Sequence, residues 1–365
     1  MFKAVAGYYK DNERLRLLVK IIAVWLISRA VMLLMVPVMN LIADEPHQWL
    51  YYMNPWDAEW YKGIVENGYQ PPKSSGMASW AFFPLYPLVC MAVRLVTMGS
   101  IDTYAVGMTV SNICIIIAVY YAVKYADIEL DMKKYNKKTV EDIIIFLMLA
   151  GPFAVYYGAM YTEALFILCV ILCFYNSARH NYMAAGIAAA MASATRIVGC
   201  MLVFVLITYM FMETCAECRA KHNSEMKDNK EAGIIDKCML TEEAGILIAG
   251  NISLASVIRT FIKNVIKEPK KLVAIMISPL GIFIYMNYLR YFCGDSWAFY
   301  HVQRAWRTQK MFPVIGVLFK SCTGQLSAAS GVKTLNGIIL GWLCVITLML
   351  YAAMIRNIMH LEYLE

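Results

Sequence analysis

The chain has 365 residues and a formal net charge of +7, from 33 Lys and Arg against 26 Asp and Glu. Hydrophobic residues make up 60% of it and charged residues 16%, whereas soluble globular proteins contain roughly 45–50% and 25%. The excess lies in long blocks that approach the roughly 20 apolar residues needed to cross a membrane. This pattern excludes a soluble enzyme, a disordered chain and a nucleic-acid-binding protein, and it predicts a polytopic membrane protein.

The first predicted transmembrane helix covers residues 17–42. Basic residues precede it, which places the amino terminus in the cytoplasm by the positive-inside rule. The next stretch, residues 43–80, carries five acidic residues against two lysines, so we expect it to lie outside. Together with the segment that follows, it forms an outer loop over residues 43–97.

Residues 81–96 are apolar but contain two prolines, and two alternatives compete for them. As a full span, they would place the five lysines of residues 124–138 outside; as a short re-entrant or juxtamembrane segment, they leave those lysines in the cytoplasm. A segment of this length is short for a span, and prolines interrupt helices. Length and charge therefore both favour the re-entrant alternative.

The later spans alternate regularly across the membrane. Gly151-Pro152 predicts a kink or break within one span, and the Ala- and Gly-rich residues 183–194 favour close helix packing. The eight firm spans are residues 17–42, 103–124, 143–157, 165–175, 183–194, 197–212, 272–291 and 335–355.

Three further segments complete the topology. Residues 213–271 carry ten Lys and Arg, which predicts a cytoplasmic loop with a helix on the inner membrane surface. Residues 294–310 form a second outer loop, and residues 311–329 are either re-entrant or a further span. We expect residues 1–365 to form a single membrane domain.

This topology brings polar residues from four separate loops to the outer surface. Ionisable groups at membrane depth are costly, so they indicate a functional site on the non-cytoplasmic face. The outer group comprises Asp57, Glu59, Tyr161, Thr162, Glu163, Thr195, Arg196, Asp295, Gln303, Arg304 and Arg307.

Asp57 lies in the most distinctive of these segments, Trp56-Asp57-Ala58-Glu59-Trp60-Tyr61. In a helix, Trp56 and Trp60 share one face, while Asp57 and Tyr61 share a neighbouring face. Indole rings anchor in the headgroup layer of a membrane. The helix would therefore hold Asp57 just above the hydrocarbon boundary, where a lipid-linked substrate presents its headgroup.

Glycosyl transfer requires a base for the acceptor hydroxyl and cations for the leaving phosphate. Asp57 fits the first requirement, and Arg196 or Arg304 fits the second. Structural explanations compete with these roles: Asp57 as a helix cap, Glu163 as the partner of a helix dipole, and Arg196 as a snorkelling anchor. For Arg29, in the middle of the first span, an ion pair within the bundle is the favoured explanation.

Six motifs occur in a defined order between residues 29 and 306. They are Trp56-Asp57-Ala58-Glu59-Trp60-Tyr61, Phe82-Phe83-Pro84-Leu85-Tyr86-Pro87, Ser111-Asn112, Tyr161-Thr162-Glu163-Ala164-Leu165-Phe166, Ala192-Ser193-Ala194-Thr195-Arg196 and Gly294-Asp295-Ser296-Trp297-Ala298-Phe299. In this order they resemble the PIG-V family, the transferases of the second mannose of glycosylphosphatidylinositol anchors and their prokaryotic relatives. One departure is Ala58, where the family usually has glycine.

The resemblance implies an all-α, multispan glycosyltransferase of the GT-C type, with juxtamembrane helices in the first outer loop. Such enzymes transfer a sugar, here expected to be mannose, from a polyprenyl or dolichyl phosphate to a glycolipid or cell-envelope acceptor, with inversion. They lie in the endoplasmic reticulum membrane of eukaryotes or the cell membrane of bacteria. Relatives with a monophosphate donor generally need no metal, so we expect neither metal nor cofactor. Eukaryotic relatives work with an accessory membrane subunit.

The resemblance also implies individual roles. Asp57 matches the acidic catalytic residue of the first outer loop, with Glu59 and Glu163 as supporting carboxylates. Arg196 and Arg304 would engage the donor phosphate. The complete set expected to bind substrates is Trp56, Glu59, Tyr61, Tyr86, Glu163, Arg196, Gln303, Arg304 and Trp306.

Two other functions compete with transfer, namely transport or flipping of a lipid-linked sugar, and a non-catalytic scaffold. A transporter needs polar groups along a path through the membrane, often with internal repeats. Apart from Arg29 the spans carry few charges, and no convincing repeat is visible. The ordered motifs therefore favour a transferase.

Overall fold

The computed structural model describes residues 12–42, 48–54, 56–72, 76–131, 133–151, 153–231 and 254–305. These residues form helices and turns with no strand among them, which confirms the all-α prediction. The α-helices in chain order are α1 (Glu13–Ile42), α2 (Trp49–Met53), α3 (Ala58–Asn67), α4 (Leu85–Val96), α5 (Thr103–Glu129), α6 (Lys137–Leu149), α7 (Glu163–Ala178), α8 (Tyr182–Thr195), α9 (Leu202–Glu231), α10 (Leu254–Lys267), α11 (Pro269–Ile277), α12 (Leu280–Cys293) and α13 (Ala298–His301).

Contacts divide the chain into two units. The first comprises residues 1–215 and 260–306, and it contains every candidate site residue within the described ranges. The second comprises residues 216–259 and 307–365, of which only the end of α9 and the start of α10 are described. The predicted segments at 311–329 and 335–355 and most of the predicted surface helix lie outside the described residues.

Within the described ranges, three helical stretches are long and apolar enough to cross a membrane. They are α1, α5 and the stretch Ile197–Lys221, which includes the first part of α9. α11 and α12, bent by 43° at the break between them, make a fourth if the pair is one span. Large apolar side chains on α1 are exposed, Leu34 by 71% and Leu41 by 87%. Lipid contact explains such exposure in an integral membrane protein.

α4 is the helix for which the sequence left a full span and a re-entrant segment as alternatives. It has 12 residues, which at 1.5 Å per residue extend about 18 Å. The hydrocarbon core is roughly 30 Å thick. This length favours the re-entrant alternative, which stays a prediction.

Within the span predicted over residues 143–157, the predicted break at Gly151-Pro152 is confirmed, because the helix does not continue past Leu149. α6 ends there, and residues 153–162 form turns until α7 begins at Glu163. Gly151-Pro152 follows the end of α6, and proline has no N–H to continue a helix. The Ser28 hydroxyl of α1 donates a hydrogen bond to the Leu149 carbonyl, which satisfies one acceptor at the helix end.

The predicted close packing of the Ala- and Gly-rich helix is confirmed. A Cβ on Gly186 of α8 would lie 2.7 Å from the Ala274 carbonyl oxygen of α11. A Cβ on Gly281 of α12 would lie 2.3 Å from the Ala190 carbonyl oxygen of α8. Only glycine allows these backbones to approach so closely.

The two ends of α8 carry different charged clusters. At its start, the buried Lys271 ammonium lies 3.0 Å from Glu213 and 2.8 Å from Glu268. At its other end, Arg196 pairs with Glu163, the first residue of α7. The fold thus separates the Lys271 cluster from the end of α8 that carries the candidate site.

Candidate active site

Asp57 lies at the N-cap position of α3, yet its side chain makes no capping hydrogen bond. The contrast is Asp102 at the N-cap of α5, whose carboxylate accepts hydrogen bonds from the backbone N–H groups of Tyr104 and Ala105. The Asp57 side chain is solvent-accessible. Capping therefore does not account for Asp57, and its carboxylate oxygens are available to a substrate.

Two hydrogen bonds hold the Asp57 loop against the turns that precede α7. The Asp57 backbone N–H donates to the Tyr161 hydroxyl at 3.2 Å. Three residues earlier, the Asn54 side-chain oxygen accepts the backbone N–H of Met160 at 2.7 Å. Asn54 is 4% exposed. Segments about a hundred positions apart in sequence are thereby fixed together beneath the candidate base.

Glu163 and Arg196 form an ion pair beside this loop, with 2.6 Å between carboxylate and guanidinium. The same guanidinium nitrogen lies 3.4 Å from the Thr162 hydroxyl. Arg196 follows α8 directly and Glu163 begins α7, so the pair joins two helix ends. Both side chains keep partial solvent access, 42% for Arg196 and 29% for Glu163.

The pKa of Asp57 is raised above its ordinary value. Partial loss of hydration is the main cause, and the negative charge of Glu163 adds to it. The positive charge of Arg196 acts in the opposite direction. A carboxylate with a raised pKa is a stronger base, and general-base catalysis is most effective when the pKa approaches the working pH.

An aromatic cluster lies beneath the charged groups. The Tyr61 ring is buried and contacts the rings of Phe82 at 5.0 Å, Tyr86 at 5.5 Å and Tyr161 at 6.4 Å between centroids. The Tyr61 hydroxyl donates to Thr162 at 3.5 Å. Burial raises the pKa of Tyr61, so its hydroxyl stays protonated.

Tyr61 and Tyr86 were expected to bind substrate, but both are buried, and Tyr86 is 0% exposed. The Tyr86 hydroxyl donates to the Gly107 carbonyl at 2.9 Å and lies 2.8 Å from the Ser111 hydroxyl. These hydrogen bonds fix the ring against α5. Both tyrosines therefore support the candidate site from below.

The predicted helical face of Trp56 and Trp60 does not form. α3 begins at Ala58, and Trp56 has a φ of 53°, which is outside the helical range. Trp56 is 74% exposed, whereas Trp60 stacks on Phe82 with 5.7 Å between ring centroids. The left-handed turn at Trp56 explains why the two indoles separate.

Glu59 was expected to support Asp57, but its carboxylate contacts α5 instead. Its carboxylate accepts a hydrogen bond from the Tyr104 hydroxyl of α5, and the Lys62 ammonium lies over the same ring. Glu163, and not Glu59, is thus the carboxylate whose charge acts on Asp57.

The two predicted outer loops pack against each other. Phe299 of α13 contacts Phe83, with 5.4 Å between ring centroids. Gln303 and Arg304 follow in the 3₁₀ turn Val302–Ala305, and Arg304 is exposed. Among the described residues, the hydrogen bonds and ion pairs of Asp57, Glu163 and Arg196 do not include Arg304. Trp306 lies outside the described residues.

Sequence reasoning missed Asn54 and Tyr161 as residues that position Asp57. Asn54 offered one signal, a polar amide in the aromatic and apolar stretch Trp49-Leu50-Tyr51-Tyr52-Met53 that leads to Asp57. Tyr161 lies in the motif Tyr161-Thr162-Glu163, in which only Glu163 was assigned a role.

The chain matches a model of a known protein family. The model described as mannosyltransferase (PIG-V) matches residues 14–232, more than half of the chain, a range that contains Asp57, Glu163 and Arg196. Nothing matches among the curated proteins or the solved structures.

Proposed function

The chain belongs to the mannosyltransferase (PIG-V) family, and on this premise we propose that it transfers mannose from a polyprenyl-phosphate donor to a glycolipid or cell-envelope acceptor with inversion. The family and the apolar helices establish a membrane glycosyltransferase. Donor, acceptor, stereochemistry and the GT-C type are the proposal. The single observation that carries it is an uncapped carboxylate, Asp57, beside an ion pair at the ends of two apolar helices.

In the proposed reaction, the acceptor hydroxyl attacks the anomeric carbon of the donor mannose from the face opposite the phosphate. The carboxylate of Asp57 takes the hydroxyl proton, the new glycosidic bond forms, and the bond to the phosphate oxygen breaks with both electrons leaving on phosphate. A single displacement of this kind inverts the anomeric centre. The raised pKa of Asp57 supports its role as the base.

The cationic part of the proposed site is Arg196. Its partner Glu163 fixes the guanidinium at one edge, while 42% of the side chain stays accessible to a substrate group. A cation aimed at the developing charge of the departing phosphate lowers the barrier as an oxyanion hole does. Arg304 and Gln303, from the second outer loop, are proposed for the outer part of the substrate.

The proposed topology places this site on the non-cytoplasmic side. Glu163 and Arg196 lie at the end of α8 opposite the Lys271–Glu213 pair. The lysine-rich loop between α5 and α6 and the ten basic residues of 213–271 favour the cytoplasm for the latter end.

The test uses membranes or proteoliposomes supplied with polyprenyl-phosphate mannose labelled in the sugar. The wild-type chain should cleave the glycosyl-phosphate bond, and Asp57→Asn should lower the transfer rate by about 10²- to 10⁴-fold, the usual contribution of a positioned base. Asp102→Asn is the matched control, because asparagine caps a helix as well as aspartate does. The anomeric configuration of the product reports inversion.

Three results would contradict the proposal. Full transfer by a normally folded Asp57→Asn protein would remove the catalytic assignment. Movement of the labelled lipid across the bilayer with its glycosyl-phosphate bond intact would indicate a transporter. Absence of both mannose transfer and lipid movement would leave a non-catalytic scaffold as the remaining function. Mass spectrometry of glycolipids from cells with and without the protein identifies the acceptor.

A further inference from the structure

Arg29 lies in the middle of α1, and the described part of the chain supplies no partner for the expected ion pair. Its Nη1 donates to the Ala154 carbonyl at 3.0 Å and lies 3.0 Å from the Met32 sulfur. Within the described residues, Nε and Nη2 are buried without a hydrogen-bond partner, and no carboxylate lies within ion-pair distance. Arginine stays protonated in proteins. Arg29 as a whole is half-buried, and its buried, unpartnered edge carries a desolvation cost that a bound anion would offset.

The backbone opposite Arg29 is irregular. It belongs to the turns of residues 153–162, between the end of α6 and the start of α7. A Cβ on Gly158 would lie 2.4 Å from the Arg29 Nη1, so glycine leaves the room that the guanidinium occupies. Non-helical backbone at membrane depth is tolerated only where protein buries it or where it lines a cavity, and it commonly marks a binding site.

An apolar groove of about 350 Å³ lies beside this place, between α1, α2 and α5. Its lining includes Trp25, Trp49 and Asn112. Trp25 is one helical turn before Arg29, so the two side chains share a face of α1. Asn112 accepts the Trp25 indole N–H at 2.7 Å and donates to the Gly158 carbonyl at 3.2 Å. Asn112 thus links the groove to the turn that faces Arg29, although Arg29 itself does not line the groove. An apolar groove next to a cation is suited to a molecule with an apolar chain and an anionic end.

The same turns connect Arg29 to the candidate base. Tyr161 follows Gly158 by three residues, and its hydroxyl accepts the Asp57 N–H at 3.2 Å. Three residues extend at most about 11 Å. Arg196, the other cation near Asp57, is engaged by Glu163, whereas Arg29 has no carboxylate partner among the described residues.

We propose that Arg29 binds the phosphate of a lipid phosphate ester through its Nε and Nη2 edge, with the apolar chain of that lipid in the groove beside Trp25. This edge of a guanidinium offers two parallel N–H donors that match two phosphate oxygens. The assignment rests on the proposed function, since the donor proposed above is a lipid phosphate. An anionic membrane phospholipid presents the same chemistry, and the experiment separates the two sources.

The test measures binding to the full-length protein in detergent with three probes: polyprenyl phosphate, the uncharged polyprenol of equal length, and phosphatidylglycerol. Wild type should prefer polyprenyl phosphate to polyprenol, and Arg29→Gln should lose about tenfold or more of its affinity for the phosphate, the size expected when charge-assisted hydrogen bonds are lost. Arg29→Lys keeps the charge without the paired donors, so it should retain part of the preference. Arg179→Gln, the same change at an exposed arginine after α7, is the matched control.

The outcomes divide clearly. Loss of polyprenyl phosphate binding with little binding of phosphatidylglycerol supports the donor as the source, whereas equal loss of both supports the phosphate site and names membrane phospholipid as its occupant. Unchanged binding in Arg29→Gln, or equal affinity of wild type for phosphate and alcohol, would overturn the proposal. Arg29→Lys serves the same comparison if Arg29→Gln does not fold. A wild-type protein that binds polyprenyl phosphate but transfers no mannose would contradict the proposed function alone.

Discussion

Replacing Asn54 by alanine should release the loop that carries Asp57. The Asn54 side chain accepts the Met160 N–H at 2.7 Å and donates to the Leu50 carbonyl at 2.8 Å. Met160 is 0% exposed, so its N–H would be left without a partner at a cost of about 1–3 kcal/mol. Loss of the bond to Leu50 adds about 1 kcal/mol. We therefore expect a decrease of about 2–4 kcal/mol in the free energy of unfolding.

The functional effect should exceed what this loss of stability explains. Displacement of a catalytic group by about 1 Å can cost up to about 10²-fold in rate, so mannose transfer by the folded Asn54→Ala fraction should fall by about tenfold or more. Thermal unfolding in detergent and single-turnover transfer measure the two quantities separately. Asn287→Ala is the control, because this exposed residue donates only to the Phe283 carbonyl of its own helix. Equal stability of the two variants, or an unchanged transfer rate in folded Asn54→Ala, would refute the reasoning.

Two further predictions concern charge and packing. Transfer should fall as pH decreases through the pKa of Asp57. Glu163 raises this pKa and Arg196 lowers it. Glu163→Gln should therefore move the acidic limb of the kcat/KM profile to lower pH, and Arg196→Gln should move it to higher pH. Shifts in one common direction would contradict this. Gly281→Ala places a methyl group 2.3 Å from a carbonyl oxygen of α8 and should lower the melting temperature; Gly63→Ala, with nothing within 4 Å, should leave it unchanged or raise stability by up to about 1 kcal/mol.

The charged part of the site was predictable because hydropathy and charge sort the loops by membrane side. Glu163 and Arg196 are over thirty positions apart, yet alternating spans predict one surface for both, and the structure pairs them at 2.6 Å. The same reasoning predicts Asp57 as an outer-loop carboxylate, and its side of the membrane stays a prediction. The break after Leu149 was also visible, because Gly151-Pro152 cannot continue a helix.

Other features depend on contacts that no local pattern encodes. Spacing alone predicted a helix that includes Trp56. The residue has a positive φ instead, and α3 begins two residues later, at Ala58. The Asn54 bond to Met160 joins positions 106 apart. For Arg29, the cost of a charge within a span was evident from the sequence. Its hydrogen bond to the Ala154 carbonyl, 125 positions away, was not. Site roles beyond this geometry stay predictions.

The lengths of α7 and α8 have a consequence for the surrounding lipid. With 16 and 14 residues, they reach about 24 and 21 Å, which is about 6–9 Å less than the roughly 30 Å hydrocarbon core. If both cross the membrane as the topology predicts, local thinning of the bilayer or extension of flanking side chains to the interface would relieve the mismatch, at a fraction of a kcal/mol per Å. Transfer should then depend on acyl-chain length, because a thicker bilayer increases the mismatch that these two short helices impose.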